Sequence, residues 1–279
     1  MASVDNTLDR PAADENSVPD CVFFPDTYST STRRMILVAS AVAGGAGGYA
    51  MAGAADPSAA LWSVIGVAAV AGGMLSTWSP CGYSSISLLR PKGRGMKAAI
   101  GWLPTFAMHG LGYAAGAIVL GTLLGALGGI LGFTGVGLAA LVVLSLIGLA
   151  YGAHQLDLLR VPYPQRRAQV PHDARQRFPK WVIGGLYGFA LGLDYLTYVQ
   201  TPLLYMMTAA AAFTGNIPAA IAIIALFNLG RYLPVAVNLM PWKDHVIQAW
   251  LARNQERAAL TDGAILVALG AAFAVFALI

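Results

Sequence analysis

The sequence predicts an all-α polytopic membrane protein, and three observations carry that prediction. Of the 279 residues, 57% are hydrophobic and only 11% charged, with a mean hydropathy of +0.63, whereas a soluble domain carries about 25% charged residues. Several apolar runs reach or exceed the ~20 residues a helix needs to cross a hydrocarbon core of ~30 Å. None shows the alternating polarity over ~10-residue segments that marks a membrane-spanning β-barrel. The net charge of +4 sits almost entirely in short loops between apolar runs, which is not a nucleic-acid signature. With one cysteine in a polar tail (Cys21) and one in an apolar run (Cys81), no disulfide framework is expected.

Each element follows from its local sequence. Residues 1–34 are acidic and Pro-containing, and predict a disordered tail. It lacks the short basic region and apolar core of a cleavable signal. Residues 35–55 form a first span rich in small residues, in which Gly44 and Gly48 make a GxxxG pair suited to close helix packing; Asp56-Pro57 ends it. Residues 59–91 form one apolar segment that as a single helix would reach ~50 Å, well beyond the core. Pro80-Cys81-Gly82 is the expected break. The basic loop Arg90, Lys92, Arg94, Lys97 follows. Two spans, 98–125 and 134–154, complete the first half, the former carrying Pro104 and His109. Residues 155–180 are a basic loop. Residues 181–215 form a second over-long segment, with an irregular polar centre from Asp194 to Pro202. A span over 217–240 carries Asn228 and Arg231. Residues 241–262 read as an amphipathic surface helix with Val246, Ile247, Trp250 and Leu251 on one face. Residues 263–279 are the last span.

This gives seven transmembrane helices. With seven crossings, every one of the 17 Lys and Arg residues except Arg231 falls on one side of the membrane, and the loops near 56, 133 and 215 and the C-terminus carry none. The positive-inside rule then predicts a bacterial inner-membrane protein with a cytoplasmic N-terminus and a periplasmic C-terminus. Beyond the extra first span, 59–154 and 181–279 each begin with an interrupted segment followed by two plainer spans. Three spans per half make the two repeats inverted. Interrupted helices at matching positions of inverted halves mark a functional site at their interface. The predicted site joins Pro80, Cys81 and Gly82 with Thr197, Val199 and Pro202 near mid-membrane.

Four side chains could carry chemistry. Cys81 is a membrane-embedded thiol, which either packs as a small apolar group or exchanges disulfides if its thiolate is stabilised. Asp194 and Arg231 are charges within apolar runs, where charges pair or line polar paths. In straight helices Asp194 lies ~20 Å from one face and Arg231 ~21 Å from the other, roughly 10 Å apart in depth within a ~30 Å core. They either pair directly or Arg231 snorkels to the surface. His109 is a candidate by its depth, with a hydrogen bond to a neighbouring helix as the plainer role. No metal-ligand cluster, phosphate loop or nucleophile triad is visible, so neither a cofactor nor a self-contained enzyme activity is expected.

The run STWSPCGYSSISLLRP (Ser76–Pro91), over-long and interrupted at Ser-Pro-Cys, resembles the CcdA/DsbD-like transmembrane superfamily of thiol–disulfide carriers, and the likeness extends over 59–279. That resemblance implies two inverted three-helix halves, each opening with a broken helix that carries Pro-Cys. The second half departs from it. Where the superfamily reads approximately Thr-Pro-Cys-x-Gly-Pro, this chain reads Thr197-Tyr198-Val199-Gln200-Thr201-Pro202. A carrier needs two thiols to hold an electron pair as a disulfide, and Val199 supplies no sulfur. The extra first span and GLDYLTYVQTPLLY (Gly192–Tyr205) resemble the membrane proteins of methylamine-utilisation systems. That likeness implies a part in maturing periplasmic methylamine dehydrogenase, through disulfide formation, biogenesis of its tryptophan tryptophylquinone, or export. The implied partners are thioredoxin-like accessory proteins and the dehydrogenase small subunit. The alternative is an inverted-repeat transporter of a small solute or of reducing equivalents.

Overall fold

The structure is a computed structural model that describes residues 27–91, 93, 95–165, 178–240 and 242–279. Among these residues the regular structure is helical throughout. Helix α1 (Thr30–Ala52) is capped by Ser29, whose side chain accepts from the Thr32 N–H. Helix α2 (Pro57–Leu75) is capped by Asp56, with Pro57 in the first turn, where a missing N–H costs nothing. A 3₁₀ turn over Ser76–Trp78 leads into α3 (Pro80–Leu88). Helix α4 (Met96–Ile130) contains Pro104, and α5 spans Leu138–Gln155. Helices α6 (Lys180–Gly192) and α7 (Leu203–Phe213) are separated by an irregular linker. Helix α8 (Ile217–Tyr232) continues as a 3₁₀ stretch over Leu233–Leu239, followed by α9 (Asp244–Arg253) and α10 (Gln255–Leu278).

Six of these helices are long and apolar enough to cross a membrane: α1, α2 with its 3₁₀ turn, α4, α5, α8 with its 3₁₀ stretch, and α10. This is an all-α polytopic membrane protein. The expected seventh span, 181–215, is in two pieces of 13 and 11 residues, neither of which reaches across alone. Large apolar side chains such as Val42, Val67, Leu123 and Leu146 are exposed on the outer surface, which suits a surface solvated by lipid rather than water.

Several boundaries differ from the sequence reading: the span expected over 98–125 runs on to Ile130, the one expected from 134 starts at Leu138, and two further shifts have causes elsewhere in the chain. The polar tail was expected to run to Arg34, yet α1 begins at Thr30 and Arg33 is buried. The reason lies at the other end of the chain. Glu256 accepts from the Thr27 and Tyr28 N–H groups at 2.9–3.0 Å and pairs with Arg33 at 3.0 Å, so a polar sequence is ordered by one carboxylate. The expected surface helix over 241–262 stops at Arg253, and 255–262 belongs to the last spanning helix. The acids that made this stretch look exposed, Glu256 and Asp262, are both satisfied by partners inside the fold. Cys21, the rest of the tail and 166–177 lie outside the described residues.

The packing has a simple order. Helix α4 lies against α6 and α8, α2 against α8, and α5 against α10, with α1 added on the far side of α10. Gly44 and Gly48 serve as expected: a methyl group on either would collide with the backbone of Ala268 or Ala272 on α10. The main core fills the space between α2, α5, α7, α8 and α10 with Ile65, Leu144, Leu203, Ile224, Phe227 and Phe273.

Candidate functional site

The first helix break is built by its own hydroxyls. Ser76 donates to the Gly73 carbonyl at 2.6 Å and Ser79 donates to the Ser76 carbonyl at 2.5 Å. Ser79 then caps α3 by accepting from the Gly82 N–H at 3.4 Å, with Pro80 in the first turn. These bonds satisfy the backbone groups that Pro80 would otherwise strand in lipid. Gly82 sits directly against the Thr77 backbone, where a Cβ would clash; the sharp fold-back is why glycine follows the cysteine. Cys81 is thereby held in the first turn of α3 and fully buried, packed with Tyr113, Tyr187 and Leu191.

The charged pair stands beside it. Asp194 follows the end of α6 in a left-handed conformation, φ 55°, a region Asp tolerates better than most residues. That turn aims its carboxylate at α8, where Arg231 Nη1 lies 2.6 Å from Asp194 Oδ1 and 2.7 Å from the Leu191 carbonyl. The pair is direct and buried at both ends, so Arg231 does not snorkel. The Arg231 guanidinium also stands 5.8 Å from the centre of the Tyr113 ring. Three residues before it, Asn228 donates to the carbonyls of Tyr113 and Gly192 at 3.2 and 2.9 Å, tying α8 to both α4 and α6. His109 bonds the Gly184 carbonyl of α6 through Nδ1 at 3.0 Å, with its ring edge-on to Tyr113 and its buried Nε2 without a hydrogen-bond partner among the described residues. A small cavity of ≈ 10 Å³ opens between Ser76, Thr77, Ser85, Tyr113 and Arg231. This is room for about one water, and the buried Thr77 hydroxyl has no partner there among the described residues.

The second break is a different construction. Between α6 and α7 the linker bonds to chain from other loops and helices. The Val199 N–H donates to Gln165 Oε1 at 2.8 Å, the Gln200 carbonyl accepts from Tyr163 at 3.2 Å, and Thr201 caps Leu203. Pro202 precedes the first turn of α7. Val199, at the position where the resemblance called for a second thiol, packs into the main core. Cys81, Asp194, Arg231 and His109 therefore gather around Tyr113, whereas Val199 belongs to a separate cluster from Cys81. Thr197 and Pro202 stay with their linker.

Sequence reasoning missed Tyr113, the common neighbour of the four, and Asp262. The Asp262 side chain is buried in α10, accepting from Thr201 at 2.7 Å and Gln155 at 2.6 Å. Both lay in plain sight: Tyr113 is one helical turn from His109, and Asp262 interrupts an apolar run.

The chain aligns over its whole length, at 71% identity, with the Methylamine utilization protein MauF of Paracoccus denitrificans, covering all of that protein. The chain belongs to the MauF family of methylamine utilization proteins. Members from Methylorubrum extorquens and Methylobacillus flagellatus are 55% and 50% identical, over 93% and 97% of this chain and 92% and 97% of their own lengths. No protein-family model matches the chain, and no solved structure matches it. This MauF-family protein combines an all-α membrane architecture with a buried thiol and a buried ion pair beside it.

Proposed function

We propose that the chain is an inner-membrane accessory protein that assists the maturation of periplasmic methylamine dehydrogenase. The observation that carries this reading is the full-length identity with methylamine utilization proteins, joined to a membrane fold that keeps one cysteine close to a buried guanidinium. We further read α6 and α7 together as a seventh crossing. That places the N-terminus in the cytoplasm and the C-terminus in the periplasm, with α2–α5 and α6–α10 as inverted repeats. The contacts support the repeat. Helix α2 packs on α8 as α4 packs on α6, first helix of one half on second helix of the other.

In this role Cys81 acts with a partner's sulfurs rather than with a second thiol of its own. Its thiolate attacks a disulfide of a thioredoxin-like partner, forming a Cys81–partner disulfide and releasing the partner's other sulfur as a thiolate. A thiolate of the maturing small subunit then attacks the partner's sulfur in that mixed disulfide. It takes over the bond to the partner and frees Cys81 as thiolate; a second small-subunit thiolate then displaces the partner's sulfur, closing the subunit disulfide and leaving the partner reduced to its two thiols, so no electrons accumulate on this chain. Because Cys81 is fully buried, the exchange needs α3 to swing away from α4 and α6. Deleting the gene should leave the dehydrogenase small subunit incompletely disulfide-bonded and inactive, and Cys81→Ser should do the same at normal membrane abundance. Fully active, oxidised dehydrogenase in the Cys81→Ser strain would remove the thiol from the mechanism and leave a docking role. Transport of a small solute draws on the buried Asp194–Arg231 pair. It requires flux into sealed vesicles that Arg231→Ala abolishes, and vesicles without such flux dispose of it for the solutes tested.

A further inference from the structure

Asp262 is a buried carboxylate in a helix that crosses the membrane, 2% exposed. Unlike Asp194, it has no cationic partner among the described residues. Its two oxygens accept from neutral groups only, Thr201 Oγ1 at 2.7 Å and Gln155 Nε2 at 2.6 Å. An ionised carboxylate in so apolar a place is unfavourable unless a positive charge joins it. The surroundings are suited to one. A cavity of ≈ 10 Å³, about the size of one water, opens between Asp262, Thr201, Gln200 and Gln155. Around it stand the two carboxylate oxygens, the Thr201 hydroxyl and the Gln200 carbonyl, which itself accepts from Tyr163 at 3.2 Å and from Gln155 Nε2 at 3.3 Å, so a bound cation would take the place of some of these donors. Unwound backbone beside a carboxylate is the construction by which broken membrane helices hold Na⁺ or a proton.

We propose that Asp262 and the Gln200–Thr201 backbone form a binding site for a single positive charge, a proton or Na⁺, at the second helix break. Occupancy of this site steadies the linker between α6 and α7, because Thr201 both donates to Asp262 and accepts from the N–H of Leu203, the first residue of α7. The titratable groups facing the site come from the 156–165 segment and the linker: Tyr163, which bonds the Gln200 carbonyl, and Tyr198. His154 and Tyr151 lie behind Tyr163. On the α1 side Arg33 is already held by Glu256. The proposal does not depend on the maturation role.

The test is thermal unfolding of the purified full-length chain in detergent between pH 4 and 9, in KCl and in NaCl. If the site takes a proton, the folded state binds more protons than the unfolded chain, so stability falls as pH rises. Wild type should then lose several degrees of Tm as pH rises from about 4, the ordinary carboxylate range, towards neutrality in KCl, and Asp262→Asn should lose far less. Recovery of the loss in NaCl at pH 9 identifies Na⁺ as a second occupant; no recovery identifies the proton alone. A wild-type Tm that is flat across this range in both salts overturns the proposal without recourse to any variant. An Asn variant that keeps the full wild-type dependence overturns it equally.

Discussion

The Asp194–Arg231 pair shows how little of a site a charge pattern conveys by itself. Two charges in apolar runs announce that something holds them, and the sequence placed them roughly a helix diameter apart in depth. What joins them is the left-handed turn at Asp194, a local backbone choice with no distinctive sequence signal in a chain that could equally have placed a glycine there. Removing one partner strands the other. Arg231→Met should destabilise the protein by about 3–5 kcal/mol, while Asp194→Leu with Arg231→Met should recover most of that loss, as read from unfolding midpoints in detergent. Asn228 gives a second check at this scale. Its amide bridges two carbonyls on two helices, so Asn228→Leu should cost about 1–3 kcal/mol by leaving buried acceptors unmet. Cys81 was visible as a thiol in lipid, but its neighbours Tyr113, Tyr187 and Leu191 were not, since they come from two helices far apart in sequence.

At the level of elements, breaks were easier to foresee than boundaries. Segments 59–91 and 181–215 are too long for one straight crossing, but length alone did not decide the matter, since α4 runs unbroken over 35 residues; the Pro80-Cys81-Gly82 run and the polar Asp194–Pro202 centre marked where the two breaks fall. The end of the amphipathic stretch was harder. A carboxylate in sequence reads as exposed, and only the fold reveals that Glu256 and Asp262 are answered from elsewhere. The GxxxG pair in α1 was legible as a packing surface, though its partner α10 was not. Gly48→Leu should drive α1 off Ala272 and cost about 1–3 kcal/mol, whereas Gly47→Ala, whose added Cβ meets nothing within 4 Å, should leave the unfolding midpoint close to wild type.

For the molecule as a whole, the proposed orientation rests on loop charge, which acts during insertion rather than through any folded contact. A periplasm-dependent reporter such as alkaline phosphatase should be active when fused after Ile279 and inactive when fused at Arg160. Activity at Arg160 would reverse the proposed topology. The proposed inverted repeat rests on interrupted segments whose breaks are built in two unlike ways. One contact also sets a schedule. The first helix is fastened by Glu256, more than 220 residues downstream of Thr27. At synthesis rates of about 5–20 residues per second, that partner emerges roughly 10–50 s after the helix it secures. Through that interval α1 sits in the bilayer with its glycine face uncovered, so a ribosome stalled late in the message leaves a membrane protein whose earliest-made helix is the one still waiting for a place.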